Sequence, residues 1–360
     1  MSLFLKNCWY VAAFSDEVTR TPLARTLLDM PVVLYRKADG SPVALLDRCP
    51  HRFAPLSVGA VVGDEIQCGY HGLRFNAQGR CVANPHNDGK PLVAADIASF
   101  VLHERYGFVW LWPGDPDRAD PALLPHFFFL EDDATWRTLS GMLPVKGNYQ
   151  LVVDNLLDLT HAPYLHPGFA MPGVTPEQQL AATTTKVERH GNEVIYQRLR
   201  KGLPPNQATI DLFDFPADPC ETRTHMHWHA PALINFDNGT KFEGQADLEG
   251  FWFPQAHCIT PETETSCHYF FAAARNLKKD DPAIDEALRG VLVTAFRDQD
   301  EPMIEAVQRR MGDTGDIDRL NPVLLKTDTA PVLARRILKE LIAAEQAEDR
   351  PAAAAVCAAE

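Results

Sequence analysis

Cys49-Pro50-His51 and, after sixteen intervening residues, Cys68-Gly69-Tyr70-His71 constrain this chain more than any other feature. Each short arm carries one thiol and one imidazole, so the fold must set two loops side by side for all four to converge. Pro50 stiffens the first arm and Gly69 sits in the second. A Gly63-Asp64 turn lies between them, as expected for loops at the tips of adjacent hairpins. The flanking sequence agrees. From Trp9 to about Trp112, short β-branched and aromatic runs alternate with the turn dipeptides Asp39-Gly40, Gly63-Asp64, Gln78-Gly79 and Asp88-Gly89. This predicts a small antiparallel β domain whose last strong strand is Phe108 to Trp112, ended by Pro113-Gly114-Asp115-Pro116. A Pro/Asp-rich linker follows to about Pro125.

Two thiols and two imidazoles also make a tetrahedral Cys2His2 zinc site, which stands as the alternative. Zinc fingers usually pair Cys with Cys and His with His, whereas here each arm holds one of each. That arrangement fits a Rieske [2Fe–2S] centre, in which two thiolates hold one iron and two neutral imidazoles the other, raising the potential above that of an all-cysteine ferredoxin cluster. Such a centre takes electrons from an ordinary ferredoxin. The other cysteines, Cys8, Cys81, Cys220, Cys258, Cys267 and Cys357, follow no ligand spacing and read as reduced thiols. A respiratory-complex Rieske protein would add a cysteine near each pair for a disulfide, and Cys81 has no obvious partner.

At 360 residues the chain has room for two domains with separate cores. A formal charge of −14 gives no general reason to expect nucleic-acid binding or a polybasic membrane contact. The first residues lack the apolar run of a signal peptide, and no stretch approaches a membrane helix in length, so a cytoplasmic small-molecule protein is expected. The second half mixes strands, around Glu193-Val194-Ile195-Tyr196 and from about His225 to Arg275, with helical patterns. One amphipathic run opens at Asp281-Pro282 and continues to about Met311. Another runs from Pro331 to about Gln346, after Asp328-Thr329 as the capping pair. The expected class is α+β, with domains at 1–120 and 121–350 and a disordered Ala-rich tail at 351–360.

A second candidate metal site lies at Asn155-Leu156-Leu157-Asp158-Leu159-Thr160-His161-Ala162-Pro163-Tyr164-Leu165-His166. On an ideal helix Asn155, Asp158, His161 and His166 fall at about 0°, 300°, 240° and 20°, on one face. Pro163 and Pro167 break an ideal helix there, but a kinked helix or a helix end still lets both imidazoles converge. Alone, two histidines five apart read more readily as core or surface residues than as metal ligands. Beside a Rieske motif they suit the set of two histidines and one carboxylate that binds non-haem Fe(II) for oxygen activation.

These residues, with Asn7-Cys8-Trp9-Tyr10-Val11-Ala12 and Thr260-Pro261-Glu262-Thr263-Glu264, make the chain similar to the Rieske non-haem iron oxygenases over nearly its whole length. The resemblance is nearest to the terminal oxygenases of vanillate and dicamba O-demethylases. It implies an N-terminal Rieske domain with Cys49, His51, Cys68 and His71 as cluster ligands, and a catalytic domain with an antiparallel sheet flanked by helices, of helix-grip type. The carboxylate ligand then comes from Asp298-Gln299-Asp300-Glu301. Asp300 is chosen by its offset from Glu305-Ala306-Val307, with Asp298 and Glu301 as alternatives. Asp158 is the implied bridge between a cluster histidine of a neighbouring subunit and an iron histidine, and Asn155 works beside it. A homotrimer follows from that bridge.

By the same resemblance, NADH electrons arrive through a separate flavin and ferredoxin-type reductase. The chain has no Gly-rich dinucleotide fingerprint of its own. The iron activates O2 beside a small aromatic substrate, and oxidation of a methoxy group yields a hemiacetal that collapses to a phenol and formaldehyde. Asn235 and His257 lie in regions that carry carboxylate-binding Asn and His residues in the dicamba-type branch, and Val291 stands where those enzymes carry Trp. Trp252 and Phe253 are core or pocket. Arg48, Arg52, Arg74, Arg80 and Lys90 offer a basic surface for an acidic reductase. Other aromatic oxidations remain open, as do, from different classes, a simple Rieske electron carrier and a metal-stabilised binding protein.

Overall fold

The computed structural model describes residues 4–86 and 89–357, with side chains through 348. The Asp88 half of one expected turn and the last three residues of the expected tail therefore lie outside the described residues. Residues 351–357 continue the final helix.

The first unit runs to Leu124 and takes in Thr260–Thr263. Its strands are β1 (Tyr10–Phe14), β2 (Leu23–Leu27), β3 (Met30–Arg36), β4 (Pro42–Leu46), β5 (Ala60–Val62), β6 (Glu65–Gln67), β7 (Arg74–Phe75), β8 (Cys81–Ala83), β9 (Ser99–Arg105) and β10 (Phe108–Trp112). β1-β10-β9-β4-β3-β2 form one antiparallel sheet. β5-β6-β7-β8 form a second, inserted between β4 and β9. β10 is buried at every position because strands flank it on both sides and both faces are covered. The expected glycine turns are present. At Gly79, φ is +74° and a Cβ would stand 2.1 Å from the Ile97 carbonyl oxygen, so only glycine fits. The β9–β10 hairpin turns on Tyr106-Gly107, both at positive φ, a two-residue turn that a Tyr at its first position disguises in sequence. The Pro/Asp linker is ordered: Asp115 accepts from Asp117 N and Asp120 from Ala122 N, each opening a 3-10 turn.

The second unit, Pro125–Ile259 and Glu264 onward, is built on β11 (Arg137–Val145), β12 (Thr183–His190), β13 (Glu193–Leu203), β14 (Cys220–His229), β15 (Leu233–Lys241), β16 (Phe251–Trp252), β17 (Gln255–Thr263) and β18 (Ser266–Arg275). They form one antiparallel sheet, β11-β18-β17-β15-β14-β13-β12, with β16 on β15. Helices α1 (Tyr149–Leu157), α2 (Ala162–Leu165), α3 (Pro176–Ala181), α4 (Gln207–Phe213), α5 (Pro282–Val293), α6 (Glu301–Met311) and α7 (Thr329–Cys357) accompany it, so the class is α+β. α7 packs on α1, β12 and β13, and Arg335 ties it there through Asp154 and Asp318. Arg275, fully buried, and Arg137 clamp Asp285 of α5 to the sheet edge.

The single helix expected from Asp281 to Met311 is instead three pieces. Asp281 caps α5 and Pro282 opens it, as expected, but Thr294–Asp300 is π-helical before α6 begins. Pro302 lacks the N–H that would bond back to Asp298 and its ring crowds that carbonyl, so the preceding turn widens. The expected capping of α7 by Asp328 also differs: its carboxylate accepts from Leu325 N, closing a 3-10 turn before the helix. No helix among the described residues is long and apolar enough to cross a membrane.

Candidate active site

The two cluster arms share one backbone design. Cys49 N donates to the Ala54 carbonyl and Phe53 N back to the Cys49 carbonyl; Cys68 N donates to the Leu73 carbonyl and Gly72 N back to the Cys68 carbonyl. The residue four beyond each cysteine is left-handed, with φ of +59° at Phe53 and +76° at Gly72. Each loop thereby closes on its own cysteine and aims it inward. Asp47 pins the first loop, accepting from Ser57 N at 2.7 Å and Ser57 Oγ at 2.6 Å. Both cysteines are buried among Leu56, Ile66, Leu73 and Phe75, while the His51 and His71 rings meet edge-on at 4.4 Å between centroids.

This donor set fits a Rieske cluster. Burial, reinforced by the adjoining Cys68 thiol, pushes the Cys49 thiol up to about 11, although the amides of His51 and Arg52 favour its thiolate. A metal centre that replaces the proton relieves that conflict. Desolvation and the neighbouring charges of His51, Arg52 and His86 hold His71 below its ordinary value, keeping the imidazole neutral as a ligand must be.

The second centre is assembled from distant elements. α1 stops at Leu157, Asp158 is its C-cap, His161 precedes the short α2 and His166 ends it, so Pro163 divides the segment as expected. His161 Nδ1 donates to the Asp158 backbone carbonyl and His166 Nδ1 to Gln299 Oε1 at 2.7 Å. Both Nε2 lone pairs therefore face inward, 3.2 Å apart, and Asp300 Oδ1 lies 3.5 and 3.3 Å from them. Cis ligands about 2.1 Å from one ion stand about 3 Å apart, so this triangle fits one face of an iron coordination sphere. Asn155 Nδ2 donates to the same Asp300 oxygen at 3.0 Å. Burial pulls His166 down, but its bonds to Asp300 and Gln299 prevail and leave it above its ordinary value. The Asp158 carboxylate accepts from Thr160 N at 2.9 Å and Thr160 Oγ1 at 2.5 Å, so within the chain it meets His161 through its carbonyl alone.

These ligands open on a cavity of about 210 Å³ lined by Phe236, Val291, Phe253, Phe296 and His257, among others. His257 is 1% exposed; its Nδ1 is 2.7 Å from the Tyr269 hydroxyl and its Nε2 has no partner. Burial holds it down at about 3, so it is neutral at ordinary pH. Asn235 is a correction. It projects from the other face of β15, reaching the His126 carbonyl at 3.4 Å, while Phe236 and Asn238 line the cavity; a strand alternates faces at every residue. Phe253 lines the cavity, whereas Trp252 is core, its Nε1 on Asp237 and the Arg223 guanidinium over its ring.

Sequence reasoning missed Gln299, hidden in an acidic run, and Arg198 and Arg200, whose i, i+2 spacing on β13 was the available signal that both face one side.

Comparison with known proteins agrees with both centres. Residues 8–100 match the Rieske [2Fe-2S] domain, and residues 145–344 the vanillate O-demethylase oxygenase C-terminal domain. The oxygenase component of dicamba O-demethylase from Stenotrophomonas maltophilia is 39% identical over 350 residues, covering 94% of this chain and 98% of that protein. The oxygenase component of chloroacetanilide N-alkylformylase from Rhizorhabdus wittichii is 38% identical over 359 residues, 99% and 100% of the two chains. A crystal structure of dicamba monooxygenase bound to 3,6 dichlorosalicylic acid matches with a TM-score of 0.88 at 36% identity, covering 96% of this chain and 99% of that one. The chain belongs to the vanillate O-demethylase oxygenase family: it is the oxygenase component of a Rieske monooxygenase, with a [2Fe–2S] cluster and a mononuclear non-haem iron as its cofactors.

Proposed function

We propose that this oxygenase demethylates a methoxylated aromatic acid to the phenol and formaldehyde, drawing NADH electrons through a separate reductase. The observation that carries this is a ligand triangle, His161, His166 and Asp300, opening on a mostly apolar cavity sized for one substituted ring. An apolar cavity of about 150 Å³ takes benzene, so about 210 Å³ leaves room for a ring with a few small substituents.

Cys49, His51, Cys68 and His71 hold the cluster, and His161, His166 and Asp300 hold the iron; when bound, these supply single electrons and dioxygen activation. The protein's own part is positioning. Gln299 and the Asp158 carbonyl fix the histidine tautomers, and Asn155 steadies Asp300. Phe236, Phe253 and Phe296 line the cavity and exclude water from the ring, and Val291 keeps the wall small at its position. His257 Nε2 offers one uncharged hydrogen bond to the substrate.

The active assembly is a homotrimer in which Asp158 bridges to the cluster histidine of a neighbour. In support, the cluster edge is exposed and apolar: Phe53 is 70% and Tyr70 59% exposed. Reductase docking falls to Arg48, Arg52, Arg80 and Lys90, because Arg74 is already paired with Glu65 at 3.0 Å.

The test is formaldehyde formed per NADH consumed by Fe(II)-loaded protein with a surrogate reductase, across methoxybenzoates including vanillate. Stoichiometric formaldehyde from one of them is expected. NADH oxidation without formaldehyde from any methoxybenzoate overturns O-demethylation and points to ring hydroxylation or ether cleavage. Aldehyde release from N-alkyl anilides alone favours N-dealkylation, one relative being named a chloroacetanilide N-alkylformylase.

A further inference from the structure

Arg198 and Arg200 project from the cavity face of β13, and both line the cavity. Arg198 is 8% exposed, and its Nε is buried without a partner. Among the described residues, neither guanidinium has a carboxylate within ion-pair reach or a hydrogen bond to the protein; Asp158 acts on Arg198 only through space. Burial, and then the like charge of Arg198, pull Arg200 down to about 10, which leaves it charged at neutral pH, and burial also holds Arg198 below its ordinary value.

Two unpaired cations in one cavity wall, Arg198 buried and Arg200 half-buried, are costly unless an anion completes them. Their surroundings are built to receive one. In cross-strand register, Arg198 faces Thr224 and then Asn238, while Arg200 faces Thr222 and then Thr240. All six side chains line the cavity. Thr224 Oγ1 donates to Asn238 Oδ1 at 3.1 Å and the Thr222 and Thr240 hydroxyls pair at 3.1 Å, which leaves the Asn238 amide hydrogens available. Residues two apart on a strand stand about 6.6 Å apart, close enough for two long guanidinium arms to grip one oxyanion. In the next row along the sheet, Tyr196, Met226 and Phe236, only Phe236 lines the cavity, so the wall passes from charged to aromatic. His257, held neutral, supplies no counter-charge at its own end, and Asn235 is turned away.

We propose that Arg198 and Arg200 form the anion-binding pole of the cavity, and that the substrate is an aromatic anion seated with its carboxylate or sulfonate against this pair. The assignment deepens the oxygenase function proposed above and rests on it for the cavity's role. The two functional groups share one recognition chemistry, two to three acceptor oxygens with delocalised negative charge, and the test separates them.

Calorimetric titration of the iron-loaded holoenzyme, without reductase, compares 4-methoxybenzoate, 4-methoxybenzenesulfonate and 4-nitroanisole, in which a neutral nitro group replaces the carboxylate at nearly equal shape. Charge-assisted bonds to the pair predict that one or both anions bind about 10- to 100-fold tighter than the nitro compound. The tighter anion names the group. In Arg198→Met and Arg200→Met the preference falls to within a few-fold, and Arg198→Lys retains part of it. Ligand-free Arg198→Met melts no lower than the parent, because it loses an uncompensated buried charge. Equal binding of anions and nitroanisole by the parent protein, binding of neither anion, or an undiminished preference in the double Met variant overturns the proposal. The parent-protein comparison needs no variant to fold. Formaldehyde measured with the same compounds keeps the two questions apart. An Arg-dependent anion preference without formaldehyde sustains the pole and sinks O-demethylation; formaldehyde from methoxybenzoate with a preference indifferent to both arginines does the reverse.

Discussion

The four residues proposed to hold the cluster all lie between Cys49 and His71, on two loops that each close by a pair of backbone hydrogen bonds around a cysteine. The residues of the iron triangle are gathered differently: Asp300 follows Gln299, which lies 133 positions from the His166 it bonds, and the two histidines stand on a broken helix end. One centre is written into local turn geometry, the other into the packing of α1, α2 and the π-helical segment against one another. The cluster loops should therefore tolerate damage elsewhere in the chain, whereas the iron triangle should respond to any change that lets these elements slide.

The largest expected separation comes from His166→Ala. It removes one vertex of the triangle and the bond to Gln299, so the mononuclear iron and essentially all product formation are lost while the cluster absorbance persists. Iron assay beside the visible spectrum checks this. Loss of the cluster band in the same variant would show that the two centres are not independently built.

Arg335→Met attacks the packing behind α1. Arg335 is 5% exposed and holds Asp154, one residue from Asn155, with Asp318 on its other side. Burial pushes the Asp154 carboxyl up from its ordinary 3.8 to about 7, against the pull of Arg335. Between these values the native state holds a proton that the unfolded chain has released, so this carboxyl lowers stability as pH rises from about 4 to 7. Without Arg335 the native value climbs further. The variant should lose about 3–5 kcal/mol at pH 8 and distinctly less at pH 5, read by urea unfolding of the helical signal. A loss independent of pH would refute the assignment to Asp154, and an equal loss at the cluster band would erase the contrast between the centres.

That contrast also explains what the sequence disclosed. Cys49-Pro50-His51 and Cys68-Gly69-Tyr70-His71 carry their geometry with them, and the glycine turns and the Asp281-Pro282 helix start follow from chemistry within a few residues. Asp300 came only through family resemblance, since one carboxylate in an acidic run has no local mark. Gln299 escaped because its role appears only when the π-helical turn brings it and Asp300 to the same histidine. Asn235 was misplaced by one residue, which on a strand is the whole difference between cavity and opposite face. Arg198 and Arg200 carry no local mark of a site, because their common wall is formed with side chains of β14 and β15.

Gln299→Leu probes that non-local contact with a smaller effect. It deletes the acceptor that fixes the His166 tautomer but keeps all three ligands. Loss of an outer partner of this kind typically costs 10- to 100-fold in metal affinity, so Fe(II) titration should show a drop of about that size with the cluster spectrum unmoved. Unchanged affinity would mean the triangle is held by ligand packing alone.

The smallest test asks whether the cluster loops are as self-contained as their hydrogen bonds imply. Gly72 and Phe53 occupy equivalent left-handed positions, yet one is glycine and the other is not. Gly72→Ala should destabilise by about 1–2 kcal/mol, because a left-handed residue with a Cβ is strained and the new carbon would press on Pro85 Cγ at 3.1 Å. Phe53→Gly relieves a similar strain, but the freer unfolded chain takes back about 0.5–1 kcal/mol, so its net effect should be near zero. The readout is the thermal midpoint of the cluster absorbance, with the helical signal of the other unit as internal reference. A shift confined to the cluster band in Gly72→Ala marks a locally determined centre. If both signals shift together, or Phe53→Gly proves the more damaging change, then the exposed Phe53 ring and the Arg48 guanidinium over it at 5.5 Å hold the loop, and its geometry is set by packing after all.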